Sequence, residues 1–221
     1  MSRTSRPRNM ARRSLLVGSV ILAGAAATAF GVNGASAQAA PNTCTVNAVP
    51  VAGPIITGTA GADTIDCAEA TGIRTINGLA GSDTITGSPH DDTINGGTGN
   101  DTMTGVVGND LLNGDDGDDT GTGSAGNDTL TGGTGADTLH GSEGIDILKG
   151  NANNDTLNGN TGNDNLDGGT GVDIISGNGD NDTLTGPPSD LVRDTLNGGA
   201  GTDTCQQGLL LFADTVTNCS P

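Results

Sequence analysis

Aspartate is the residue whose spacing in this chain could do chemistry. It stands at Asp83, Asp92, Asp101, Asp110, Asp119, Asp128, Asp137, Asp146, Asp155, Asp164, Asp173 and Asp182, twelve times at an interval of nine without a slip. Five positions before each is a glycine, from Gly78 to Gly177, and nine of the twelve have a second glycine two positions before the Asp. The exceptions in that second column are His90, Asn153 and Asp180. Two positions after the Asp comes Ile, Leu or Met in eleven of twelve, and Gly121 is the only break. The unit is G-x-x-G-x-D-x-(I/L)-x. A carboxylate repeated beside glycine gathers hard oxygen donors, because glycine lets backbone carbonyls approach an ion closely. No Cys or His recurs in any column, so this donor set selects Ca²⁺ over the transition metals.

The elements that must position these carboxylates follow from the same unit. Six residues rich in Gly, Asp and Asn favour a turn with positive φ values. The next three, usually Thr-apolar-Thr or Thr-apolar-Asn, suit a short strand with one side chain inward and two outward. Turn, strand, turn, strand over eighteen residues closes one flat coil. Coils stacked about 4.8 Å apart as parallel strands bury the Ile/Leu column in two thin ladders. The fold class expected is therefore all-β, a parallel β-roll built as a calcium-loaded solenoid of 18-residue coils. Stacking aligns Asp83, Asp101, Asp119, Asp137, Asp155 and Asp173 on one edge, and Asp92, Asp110, Asp128, Asp146, Asp164 and Asp182 on the other. At about 5 Å each adjacent pair repels by near 1 kcal/mol in water and by more in a less polar medium. A divalent ion between coils turns that repulsion into ligation, so folding and calcium binding are expected to be one equilibrium. Gly121 leaves a gap in one ladder, and Gly121→Leu is expected to raise stability.

The array loosens at its margins. Residues 58–66 match with Asp63 and Ile65, offset by the insertion Cys67-Ala68, and residues 69–77 carry Arg74 where Asp is expected. Three extra residues around Pro187-Pro188 precede Asp194 and Asp203. The repeats thus run over 58–206, flanked by a 38–57 N-terminal cap segment and a 207–221 C-terminal cap segment.

This unit resembles the G-G-x-G-x-D-x-U-x nonapeptide of the RTX (repeats-in-toxin, hemolysin-type) calcium-binding proteins. The resemblance implies a parallel β-roll with several Ca²⁺ ions in its turns, each held by the sixth-position Asp and the turn carbonyls of stacked units. That role falls on the twelve aspartates named above and extends to Asp63, Asp194 and Asp203. The second glycine of the family pattern is present only at Gly97, Gly133 and Gly169 in the unbroken run, so distorted turns are expected elsewhere. Many members of the family are exported by a C-terminal signal, whereas this chain carries an N-terminal one.

Composition narrows the rest. The chain has 221 residues, 39 of them Gly, with no Trp or Tyr and two Phe. Five of its 8 basic residues (Arg3, Arg6, Arg8, Arg12 and Arg13) precede position 14, and all 26 acidic ones lie beyond position 60. From Gln38 onward the balance is 3 minus 26, or −23. That excludes nucleic acid and anionic membranes, which need clustered Lys and Arg. The basic start, the apolar stretch Leu15 to Ala29 and Ala35-Ser36-Ala37 form a bacterial secretory signal peptide over 1–37. Arg12-Arg13-Ser14-Leu15-Leu16 leaves a twin-arginine route open beside the general one. The mature chain is thus expected to be secreted, extracellular and without membrane insertion. In that setting Cys44, Cys67, Cys205 and Cys219 read as disulfide candidates; three pairings exist, of which 44–67 and 205–219 would staple the two ends separately.

No enzyme is expected. His90 and His140 fall in different repeat columns, and H-E-x-x-H, G-x-S-x-G and a P-loop do not occur. The function expected is a secreted calcium-binding repeat protein in a structural or cell-surface role. The alternative is a solenoid that recognises ice, a glycan or another surface through a Thr-rich face. Thr84/Thr86, Thr102/Thr104 and Thr120/Thr122 form three full Thr-x-Thr steps of such a face before His140 interrupts them.

Overall fold

The computed structural model describes residues 43–186, 192–206 and 214–220. The signal-peptide reading of 1–37, residues 38–42, the Pro187-Pro188 insertion and residues 207–213 of the C-terminal segment lie outside the described residues. Twenty strands and no helix are present among them. From Val49–Ala52 onward, successive strands alternate between an 11-stranded and a 9-stranded sheet, so within the solenoid a strand's lateral neighbours lie one full coil away in sequence. Thr84 pairs with Thr102, Thr102 with Thr120, Thr120 with Thr138 and Thr138 with Thr156, all parallel and all eighteen residues apart. This is the parallel β-solenoid of 18-residue coils that the period predicts.

The strands run longer than the pattern predicts. Thr120–Ala125, Thr129–Thr134 and Thr138–Glu143 have six residues rather than three. In each of them the second and fourth residues are buried, which are the apolar position and the glycine that opens the next unit. The period of two thus continues through the glycine, which serves as a second inward residue because the roll is too thin for a side chain there. A Cβ on Gly87 would lie 2.6 Å from the carbonyl oxygen of Gly105 and 2.9 Å from Asp92 Oδ2. Three-residue strands remain where the unit is broken: Thr64–Asp66 before the Cys67-Ala68 insertion, and Thr84–Thr86 before Pro89. Proline offers no N–H to the ladder and ends the pairing.

The apolar column forms the core. Ile76, Ile94, Leu112, Leu130, Leu148, Leu166 and Leu184 stack in one sheet, and Ile65, Ile85, Met103, Leu139, Leu157, Ile175 and Leu196 in the other, all essentially inaccessible to solvent. The expected gap at Gly121 is closed. A Cβ placed there would lie 3.2 Å from Leu139 Cδ2 and 3.5 Å from Leu130 Cδ2, so neighbouring leucines have filled the space.

The N-terminal end is closed by a hairpin that the repeat pattern does not foretell. Thr43–Val46 and Val49–Ala52 pair antiparallel around Asn47 and Ala48, whose φ values of 50° and 62° give the twist a two-residue hairpin needs. Thr43–Val46 then lies antiparallel on Thr64–Asp66, and Pro50 removes one donor from the outermost strand. Cys44–Cys67 bonds this hairpin to the first coil, and Cys205–Cys219 closes the opposite end. Past residue 206 the ladder continues, because Thr215–Thr217 pairs parallel with Thr195–Asn197.

Candidate metal centres

Each sixth-position aspartate stands immediately before a strand, at the point where the chain turns from one sheet to the other. The structure gathers all fifteen sequence-predicted aspartates into two edge rows and buries every one. Each backbone N–H in a row donates to the carboxylate one coil further on. Asp83 N–H donates to Asp101 Oδ1 at 2.7 Å, Asp101 to Asp119 at 2.7 Å, Asp119 to Asp137 at 2.8 Å and Asp137 to Asp155 at 2.8 Å. On the other edge Asp92 donates to Asp110 at 2.7 Å, Asp110 to Asp128 at 2.7 Å, Asp128 to Asp146 at 2.8 Å and Asp146 to Asp164 at 2.8 Å. Asp155 and Asp173 continue the first row to Asp173 and Asp194, and Asp164 and Asp182 continue the second to Asp182 and Asp203.

The second carboxylate oxygen is treated differently. Oδ2 of Asp83, Asp101, Asp110, Asp119, Asp128, Asp137, Asp146, Asp155, Asp164, Asp182 and Asp203 is buried and accepts no hydrogen bond from the protein. Burying an anionic oxygen without a partner is costly, and in ten of these aspartates it raises the carboxyl pKa. Burial raises Asp110, Asp119 and Asp155 to about 7 and Asp128, Asp164 and Asp182 to about 6. Neighbouring aspartates push in the same direction at these six, and the backbone hydrogen bond to Oδ1 only partly offsets them. Asp83, Asp101, Asp137 and Asp146 are raised for the same leading reason.

These rows fit a hard cation. A Cβ on Gly78 would overlap both Asp83 Oδ2 and the Gly96 carbonyl oxygen of the next coil, so carboxylate and carbonyl oxygens face the same small space. Among the described residues no three His, Cys, Asp or Glu side chains converge on one point. Backbone carbonyls must therefore complete any coordination shell, as hard oxygen ligation of Ca²⁺ permits.

Except at Ser88, the turns of the unbroken run keep one shape despite the missing second glycine. Position two has positive φ at Leu79 (86°), Val106 (96°), Asp115 (71°), Ser124 (88°), Ser142 (90°), Asn151 (78°), Asn160 (78°) and Asn178 (78°), alongside Gly97, Gly133 and Gly169. The expected distortion is absent there, and the departures are carried as backbone strain instead.

Three features escape the sixth-position pattern. Asp214 is buried and its Oδ1 accepts the Asp194 N–H at 3.0 Å; the string Asp214-Thr215-Val216-Thr217 repeats positions six to nine and could have revealed it. Asn47 ends the first row from outside the array, donating from Nδ2 to Asp63 Oδ1 at 2.5 Å and accepting the Thr64 N–H at 2.9 Å. Position five forms a second ladder of opposite sense. Asp91 Oδ1 accepts the Asn109 N–H, Asn109 Oδ1 the Asn127 N–H, and Asn127 Oδ1 the Ile145 N–H, each at 2.8 Å. The recurrent Asn before Asp in the sequence is the trace of that ladder.

Comparison with known proteins agrees with this geometry. A sequence profile of the RTX calcium-binding nonapeptide repeat (4 copies) matches residues 75–103, 96–130, 113–148, 131–166, 149–184 and 193–205. No curated protein matches the chain. Periodicity, parallel 18-residue coils and two rows of buried turn carboxylates therefore converge with the profile, and the chain belongs to the RTX calcium-binding nonapeptide repeat family.

Proposed function

We propose that this chain is a secreted calcium-binding roll, folded outside the cell by Ca²⁺, that serves a structural or cell-surface role and no catalytic one. The observation that carries the reading is the set of eleven buried Oδ2 atoms without a protein donor. Near neutral pH these carboxylates oppose the stacked fold, and a divalent cation coordinated by their oxygens and by turn carbonyls removes the opposition. The ligands assigned are the aspartates at Asp83, Asp101, Asp119, Asp137, Asp155, Asp173 and Asp194 on one edge and at Asp110, Asp128, Asp146, Asp164, Asp182 and Asp203 on the other.

Export is supported by the layout of residues 1–37 and by two disulfides, which persist in oxidising compartments. Among the described residues no helix is long and apolar enough to cross a membrane. His90 stands in a turn and His140 in the strand Thr138–Glu143, in different columns of the repeat.

The test is a Ca²⁺ titration of the chain in chelator-treated buffer, followed by far-ultraviolet circular dichroism because Trp and Tyr are lacking. A coil-to-β transition that Mg²⁺ fails to reproduce is the expected result. A chain already fully β in chelator, or one unmoved by millimolar Ca²⁺, would refute calcium-driven folding.

A further inference from the structure

Fifteen aspartates share one position in the sequence unit, yet the structure divides them. At Asp63 and Asp92 both carboxylate oxygens already hold protein donors. Asp63 Oδ1 accepts from Asn47 Nδ2 at 2.5 Å and Thr59 Oγ1 at 3.2 Å, and its Oδ2 accepts the Thr59 N–H at 2.5 Å. Asp92 Oδ1 accepts the Arg74 N–H at 2.5 Å, and its Oδ2 accepts the Ser88 N–H at 2.5 Å. In the regular turns the N–H of position two makes no such bond to Oδ2.

The cause is the backbone at position two. Thr59 and Ser88 are not among the residues of positive φ, unlike their counterparts from Leu79 to Asn178. At Ser88 the restriction is imposed by Pro89, whose ring disfavours all but extended conformations in the residue before it. Extended, Ser88 turns its N–H onto Asp92 Oδ2, where the regular turn leaves that oxygen to other partners.

A second observation points the same way. Arg74 occupies the Asp column one coil before Asp92 and is buried, 5% exposed. It places a permanent cation at the head of the row. The other row is headed by the Asn47 amide, on a hairpin held by Cys44–Cys67. Among the buried aspartates between Thr43 and Asp92, only Asp83 keeps an Oδ2 without a protein donor.

We infer that the turns 58–63 and 87–92 take no calcium ion, and that the coils from Thr43 to Asp92, headed by Asn47 and Arg74, hold their fold without it. This rests on calcium-driven folding of the remaining coils and names the part of the chain that escapes it. In a stack where each coil rests on its neighbours, the first coil is the costly one, and a preformed end supplies the template on which calcium-loaded coils add. Folding then runs from the N-terminal end toward Cys219.

Hydrogen–deuterium exchange of the full chain with disulfides intact tests this. In chelator the amides of Thr64–Asp66, Thr75–Ala80 and Thr84–Thr86 are expected to be protected, and those of the strands from Thr102 to Thr185 to exchange freely until Ca²⁺ is added. Calcium-dependent protection of every strand, including these three, would overturn the inference and leave calcium-driven folding intact. Protection of every strand in chelator would overturn both. Two variants sharpen the assignment. Arg74→Asp is expected to lose the N-terminal protection in chelator and regain it in Ca²⁺; unchanged protection in chelator counts against a role for Arg74. Pro89→Gly frees Ser88 to take positive φ and is expected to bind one more Ca²⁺ per chain by equilibrium dialysis, while an unchanged count would reject the closed-turn assignment.

Discussion

At the scale of single residues, the roll stores strain at position two of its turns. Asn and Asp tolerate positive φ, but Val106 at 96° is β-branched, and a branched side chain is poorly accommodated there. Such a conformation costs on the order of 1–3 kcal/mol, and glycine releases it at an entropic cost of about 0.5–1 kcal/mol. Val106→Gly is therefore expected to raise stability by about 1 kcal/mol, read as a thermal midpoint about 2–4 °C higher at saturating Ca²⁺; a lower midpoint would show that Val106 earns its place by packing. Gly121 calls for a different substitution from the one its sequence column suggests. Its backbone is not in the positive-φ region and Leu139 Cδ2 stands 3.2 Å from where a Cβ would lie. Gly121→Ala should gain about 0.5–1 kcal/mol, because one flexible leucine end must yield by only a few tenths of an ångström. Gly121→Leu should gain less, since three more carbons would overpack a space already filled. If thermal melts rank Leu above Ala, the ladder has more room than the leucine positions imply.

At the scale of the element, the sequence made the inward column, the coil length and the aspartate rows legible, because each is a strict period that nothing else in the chain imitates. It did not reveal that the strands are six residues long. A glycine between two turn-forming residues reads as turn, and only the stacked neighbour shows that its missing side chain is an inward position. The N-terminal hairpin was hidden for a related reason, since Asn47-Ala48 carries no glycine to announce a turn. The position-five ladder was visible as recurrent Asn but had no chemistry attached until the register placed each side chain against the next coil's N–H. Asn109→Ala removes the acceptor of the Asn127 N–H and should cost about 1 kcal/mol in Ca²⁺; a thermal midpoint equal to the parent's would mean that water replaces the bond. The aspartate rows predict a change of sign. Asp128→Asn keeps an oxygen for the Asp110 N–H and removes a buried charge. In chelator at pH 8 the variant should be more stable than the parent, by on the order of 1 kcal/mol, and in Ca²⁺ it should be less stable. The same sign in both conditions, read as circular-dichroism β-content in chelator and as the urea midpoint in Ca²⁺, would remove Asp128 from the ligand set.

At the scale of the whole molecule, the same carboxylates make the fold respond to pH in a direction opposite to that of most proteins. Their pKa values are raised from 3.8 to about 6 or 7 in the folded chain, with burial as the leading cause. A group that binds protons more tightly when folded gains stability as pH falls, because the unfolded chain binds fewer protons over the interval between the two values. Six groups act together: Asp110, Asp119, Asp128, Asp155, Asp164 and Asp182. Without Ca²⁺, therefore, β-structure should grow as pH falls from about 8 toward 4, the gain setting in as pH passes through about 7 to 6 and accumulating down to 3.8. Below 3.8 both states are protonated and the gain is complete. In Ca²⁺ the slope should reverse, because protons and the cation compete for the same oxygens and acid releases the ion. Two circular-dichroism titrations, one in chelator and one at saturating Ca²⁺, should thus cross, with acid favouring the first sample and neutral pH the second. Parallel curves would mean that the buried carboxylates titrate without bearing on the fold, and the rows would then be ornaments of the turns rather than the switch that closes them.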